Sequence, residues 1–161
     1  MHYYFNKEIT TETVNELVEK LEQFDGKINL YFSTNGGHSP SMSFLIKYFN
    51  SIKDRLTITL TEDVWSAGIY ILTDFYGTIK IDVDEMDSFL FHCSDRESFN
   101  MRKDSTICNQ KILEKQDKEF NLKFAEKIKK KGLLTDKQLK QFLRGHDVIV
   151  YKRQFEKWKL N

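Results

Sequence analysis

Two cysteines are too few for a disulfide framework or a four-thiolate zinc site. Cys93 and Cys108 are expected as free thiols. A single proline and seven glycines against thirteen phenylalanines exclude a linker-rich or disordered chain. No apolar run approaches the ~20 residues of a membrane span. The opening MHYYFNKEIT also lacks the apolar stretch of a signal peptide. A soluble, cytoplasmic protein with no membrane partner is the expectation. Neither sign of charge dominates: 25 Lys and Arg stand against 24 Asp and Glu, a net charge of +1. That balance excludes a global field suited to nucleic acid. The acidic patch Asp82–Asp87 lacks the regular spacing of a calcium loop and reads as a solvated loop. No metal and no cofactor are expected.

What is present suffices for a core, since 40% of the 161 residues are hydrophobic and 14% aromatic. The length suits one domain. Val14, Leu17, Val18, Leu21 and Phe24 form one apolar stripe, which predicts a helix over residues 11–24, capped by Thr10 or Thr11 and ended by Gly26. KINLYFS (residues 27–33) reads as a strand, followed by the glycine loop TNGGHSP. Ser39 then caps a helix with Pro40 at its first position and Phe44, Leu45, Tyr48, Phe49 and Ile52 turned inward. LTITLT (residues 56–61) is a second strand, and a short apolar helix begins near Ser66. Residues 78–83 and 88–93 read as two further strands. Alternating strands and helices predict an α/β fold with a mainly parallel sheet and helical crossovers.

Residues 104–130 are long, charged and unbroken by Gly or Pro, which predicts a helix of about 40 Å. Ile112, Leu113, Phe120, Phe124 and Ile128 give it an apolar stripe, either a solvated helix's inner face or a surface covered from outside the domain. A short helix over residues 135–143, a strand over 147–151 and a basic tail over 152–161 close the chain.

Three features fall where a strand–loop–helix fold brings residues together. Gly36-Gly37 follows a strand and precedes a helix; it is either a plain turn or a place where N–H groups approach a ligand closely. Ser66, in Trp65-Ser66-Ala67-Gly68, stands where a strand meets an apolar helix. It is either an N-cap or a nucleophile, with the adjacent Ala67 N–H facing an oxyanion. His92 ends the apolar run Phe89-Leu90-Phe91; it is either structural or the base that a serine nucleophile needs. His38 is a competitor from within the glycine loop, and His2 and His146 are others.

Ser66 follows Gly37 by 29 positions, and His92 follows Ser66 by 26. In order and spacing these segments resemble the ClpP-like serine peptidases, the proteolytic subunits of the Clp protease, which share the ClpP/crotonase fold. Residues 28–39 are similar to that family's Ile-Asn-Ser-Pro-Gly-Gly segment, Ser66-Ala67-Gly68 to its Ser-Met-Gly turn, and Phe89–His92 to its Ile-Met-Ile-His strand. The resemblance covers residues 5–150. It implies a single domain made of a head core (5–103), a protruding handle helix (104–130), a closing helix and strand (131–151) and the basic tail. It implies Ser66 as nucleophile, His92 as general base, and Gly37 and Ala67 as the oxyanion-hole residues. It further implies a homo-oligomer of stacked rings, heptameric in that family, joined through residues 104–130, with peptide substrates and an AAA+ ATPase unfoldase as a partner.

The family's acid stands in an Arg-Asp segment before the last helix, but here Lys129-Lys130-Lys131-Gly132-Leu133-Leu134 carries none. Asp136 lies just beyond, in the first turn of the next helix, as a weak candidate for the third triad member. Trp65 replaces a small residue, Glu62 and Asp63 replace a glycine-glutamine pair, and Asn35 replaces the loop proline. With a short N-terminal segment, the absence of the family's axial loops is the expectation. A weak or partner-dependent endopeptidase is the expectation. The alternatives are a non-catalytic ring subunit, which the lysine run favours, and a crotonase-type thioester enzyme, which would not need the Ser66/His92 pair.

Overall fold

HYYFN, INLYFST and LTITLTEDVW are rich in β-branched and aromatic residues, and they run side by side as parallel strands. The computed structural model describes residues 1–93, 107–158 and 160, without the side chains of residues 107–114. Its elements are β1 (His2–Asn6), α1 (Thr11–Glu22), β2 (Ile28–Thr34), α2 (Ser39–Ser51), β3 (Leu56–Trp65), a 3-10 turn (Ser66–Ile69), α3 (Tyr70–Asp74), β4 (Thr78–Phe91), α4 (Ile107–Lys130), α5 (Asp136–Leu143), β5 (Val148–Tyr151) and α6 (Lys152–Phe155). The five strands form one sheet in sequential order, and β1 to β4 are all parallel. The chain is therefore α/β with helical crossovers between parallel strands. It divides into two compact units, residues 1–91 with 149–161, and residues 92–148.

In the first unit the period-two pattern decides which face is covered. Ile28, Leu30 and Phe32 of β2 and Leu56, Ile58 and Leu60 of β3 are buried, and their neighbours Tyr31, Thr57 and Thr59 are only half-buried. Val14, Leu17 and Leu21 of α1 and Met42, Leu45, Ile46 and Phe49 of α2 complete the core. Each such side chain contributes about 1.5–3 kcal/mol by leaving water. Thr10 caps α1 through a reciprocal bond with Thr13.

Four expectations are corrected here. β1 is an addition to the sequence reading: its aromatics Tyr3, Tyr4 and Phe5 are consecutive and show no period-two alternation, and only Phe5 is buried. The acidic segment 82–87 is not a loop, because 78–83 and 88–91 belong to one fourteen-residue strand. Met86 and Ser88 are buried on one face of its pleat, Glu85 and Asp87 are exposed on the other, and Asp84 is exposed as well. That strand ends at Phe91, before His92. Phe44 does not point inward; it is 51% exposed. The basic tail contains α6, whose Phe155 is buried and meets Phe89 edge-on at 5.4 Å, while Trp158 lies tilted against Phe89 at 4.8 Å.

In the second unit α4 ends on a left-handed Gly132. The Gly132 N–H donates to the Lys129 carbonyl and the Leu133 N–H to the Ile128 carbonyl, the pairing that satisfies a helix's last carbonyls. Ile128 and Leu133, which that pairing brings together, are both fully buried. Phe124 is also buried and meets Phe142 of α5 edge-on at 6.0 Å. The expected stripe is thus covered in part by the chain's own α5; Phe120 and Leu122 remain 40% and 45% exposed. The expected helix start at 104–106 and the side chains of Cys108, Ile112 and Leu113 lie outside the described residues.

Candidate active site

The glycine loop and the serine turn are packed directly against each other within the first unit. Gly36 is buried, with φ +96, and a methyl group on it would lie 2.5 Å from Ser66 Cβ and 3.1 Å from Ser66 Oγ. A methyl on Gly68 would lie 2.5 Å from the Thr34 side-chain methyl. Thr34 Oγ1 accepts from the Gly36 N–H at 3.0 Å and donates to the Lys7 carbonyl at 2.8 Å, tying the loop to the end of β1. Small residues on both sides are therefore what allows the approach.

Ser66 itself has φ +54, a left-handed conformation that costs a non-glycine residue about 1–3 kcal/mol. It follows β3 directly and opens the 3-10 turn, half-buried, while Ala67, Gly68 and Ile69 are buried. Glu62 is the other non-glycine residue of positive φ among the described residues. It sits where β3 slips register against both neighbours, a bulge that re-aims the strand end. Its carboxylate accepts from Asn6 Nδ2 at 2.7 Å.

The replacements seen in the sequence have partners. Trp65 Nε1 donates to Ser88 Oγ at 2.9 Å, and Ser88 Oγ donates to Asp63 Oδ1 at 2.6 Å. Asp63 and Ser88 are register partners across β3 and β4, so Asp63 and Trp65 share a face and the relay fixes the indole.

Gly37 pairs with Ile9 in an isolated parallel bridge. The bridge uses the Gly36 carbonyl, which accepts from the Ile9 N–H at 2.7 Å, and the His38 N–H, which donates to the Ile9 carbonyl at 2.7 Å. The Gly37 N–H takes no part in it and points away from Ile9. Ala67 is second in its 3-10 turn, so its N–H has no acceptor within that turn. An open hollow of about 300 Å³ lies beside the loop, lined by Asn6, Lys7, Glu8, Asn35, Gly36 and Gly37. His38, not Ser39, occupies the cap position of α2, which already includes Ser39, and its Nδ1 meets Ser41 Oγ at 2.8 Å.

The second unit holds His92 and an acid that sequence reasoning missed. α5 ends on a left-handed Gly145, with the Gly145 N–H bonded to the Phe142 carbonyl and the His146 N–H to the Gln141 carbonyl. This turn reverses the chain and sets Asp147 Oδ1 3.8 Å from His92 Nδ1. The separation is too long for a hydrogen bond but short enough for charge attraction. Both side chains are accessible, at 41% and 64%. Asp136 occupies the first turn of α5, directly after its cap Thr135. Cys93 is a free thiol that donates to the Phe142 carbonyl at 2.9 Å. Burial pushes this thiol up from its ordinary pKa, partly offset by the Gly145 backbone.

Ser66, Gly37 and Ala67 thus gather in the first unit, and His92 with Asp147 in the second. Only the left-handed Gly145 could have flagged Asp147; in the sequence it reads as the first residue of a strand. Among the described residues, no three His, Cys, Asp or Glu side chains gather to hold a metal ion, and no helix is long and apolar enough to cross a membrane. Compared with known proteins, the sequence matches no family model and no curated protein.

Proposed function

We propose that this chain is a ClpP-like serine endopeptidase of the ClpP/crotonase fold, working in the cytoplasm, with Ser66 as nucleophile and His92 as general base. One observation carries the reading. Ser66 stands in a strained left-handed conformation on a strand-to-helix turn, pressed against buried Gly36 of a loop whose next N–H, that of Gly37, takes no part in the bridge to Ile9. A backbone outlier persists only where the surroundings impose it, and such strain clusters at functional sites. Strained strand-to-helix turns also present the nucleophile in α/β-hydrolases.

In this reading Ser66 Oγ attacks the peptide carbonyl carbon and passes its proton to His92. The Gly37 and Ala67 N–H groups hold the resulting oxyanion. Collapse breaks the C–N bond, and His92 returns the proton to the leaving amine. Water, activated by the same imidazole, then hydrolyses the acyl ester and frees Ser66. The hollow beside Gly36 and Gly37 is polar and open, which suits an extended peptide backbone. The exposed Phe120 and Leu122 of α4 suit a handle through which rings stack, with an AAA+ unfoldase feeding substrate.

Cleavage of short fluorogenic peptides, lost in Ser66→Ala and in His92→Ala, is the test. Activity that survives Ser66→Ala would refute the reading. A non-catalytic ring subunit is the second reading, favoured by residues 129–134. That stretch carries no acid, and its Leu133 and Leu134 are buried.

A further inference from the structure

We infer that Asp147 is the positioning residue for His92, filling from the far side of α5 the role that no acid at residues 129–134 can fill. The inference rests on the reading of Ser66 and His92 given above, but it is carried by the second unit alone. Three observations combine. Asp147 faces Nδ1 of the ring at 3.8 Å, not Nε2. Its backbone is fixed by the two hydrogen bonds that close α5 around Gly145. The neighbouring Cys93 side chain is tied to the Phe142 carbonyl in that same turn, so the chain on either side of the pair is anchored.

The chemistry follows from which nitrogen the carboxylate addresses. A carboxylate at Nδ1 favours the tautomer with the proton on Nδ1, and Nε2 then carries the lone pair that a serine base needs. Closing the gap from 3.8 Å to about 2.8 Å takes a small rotation of a carboxylate that is 64% exposed. Bonds of this kind are often long before substrate binds. As cations form on the ring during attack, the same carboxylate lies within attraction distance of the charge. Both side chains are accessible, so water screens the pair and its effect is smaller than that of a buried triad acid.

The experiment is ring-nitrogen NMR on the full chain, labelled with ¹⁵N-histidine, at a pH well above the ordinary imidazole range. Wild type and Asp147→Glu are expected to hold His92 mainly as the Nδ1–H tautomer. In Asp147→Asn the side-chain amide can donate to Nδ1, and the ring shifts to mainly Nε2–H. Asp136→Asn leaves the wild-type pattern unchanged. Peptidase kcat should fall about tenfold in Asp147→Asn with KM unmoved, short of the ~10⁴ seen for a buried acid. A His92 tautomer that is the same in wild type and Asp147→Asn, or that moves as much in Asp136→Asn, overturns the assignment. If the tautomer follows Asp147 while peptides are not cleaved, the assignment stands and the peptidase reading falls. If peptides are cleaved while the tautomer ignores Asp147, the assignment alone falls.

Discussion

A methyl group placed on Gly36 would lie 2.5 Å from Ser66 Cβ, closer than any two carbon atoms of separate side chains can stand. The contact joins a loop that ends one strand to a turn that ends the next, and it leaves no slack between them. Gly36→Ala must therefore displace Ser66 or the loop, on top of forcing alanine to φ +96. A stability loss of about 2–4 kcal/mol is expected from strain and overpacking together. Gly132→Ala is the control, since its φ is +66 but nothing lies within 4 Å of the added carbon. It should cost only about 1 kcal/mol. Urea unfolding of the two variants compares them, and equal losses would contradict the packing described.

The Trp65–Ser88–Asp63 relay predicts coupling. Trp65→Phe removes one donor and leaves Ser88 still bonded to Asp63, for about 0.5–1.5 kcal/mol. Ser88→Ala strands both neighbours and should cost about 1–3 kcal/mol. The double variant should lose less than the two single losses combined, by at least about 0.5 kcal/mol. Simple additivity in denaturant unfolding would mean that the relay does not fix the indole.

Cys93 should alkylate slowly at neutral pH, because burial holds its thiol above the ordinary range and the thiolate is the reactive form. The rate with iodoacetamide should climb as pH rises past that range. The sign for stability is the opposite. The folded thiol keeps its proton to higher pH than the unfolded one, so this group's contribution is intact below the unfolded pKa and is lost as pH rises through the folded one. Fast, pH-independent alkylation near neutrality would contradict the burial of the sulfur.

Phe120 and Leu122 lie in the exposed part of α4. If rings stack through this helix, light scattering at micromolar concentration gives a large oligomer, and Phe120→Glu shifts it toward smaller species without unfolding the chain. A monomer in the unaltered protein would remove the ring assembly from the account.

Much of this architecture was legible in residue patterns, and the exceptions have physical causes. Val14, Leu17 and Leu21 announced α1, and the alternation through Ile28, Leu30 and Phe32 announced β2, because each repeats at its element's own period. β1 is not legible, since Tyr3, Tyr4 and Phe5 are consecutive and carry no alternation. The acidic stretch of β4 has the composition of a loop, yet it is strand: Met86 and Ser88 are buried in it, and Asp84, Glu85 and Asp87 stay exposed. Phe44 is as apolar as its buried neighbours, yet its place on α2 turns it to solvent. The proximity of Gly36 to Ser66 followed from strand–loop–helix logic, because parallel strands bring their C-terminal ends to one edge. Asp147 was not legible, because its place beside His92 depends on how Gly145 turns the chain, and spacing along a sequence does not encode that.

A fluorophosphonate separates a nucleophilic Ser66 that depends on His92 from a serine that only opens its turn. The assembled protein is treated with a fluorophosphonate, and the modified residue is located by mass spectrometry. The account predicts a single adduct on Ser66, absent in Ser66→Ala and formed about tenfold or more slowly in His92→Ala. No adduct on Ser66, or an adduct formed at the same rate without His92, would contradict it.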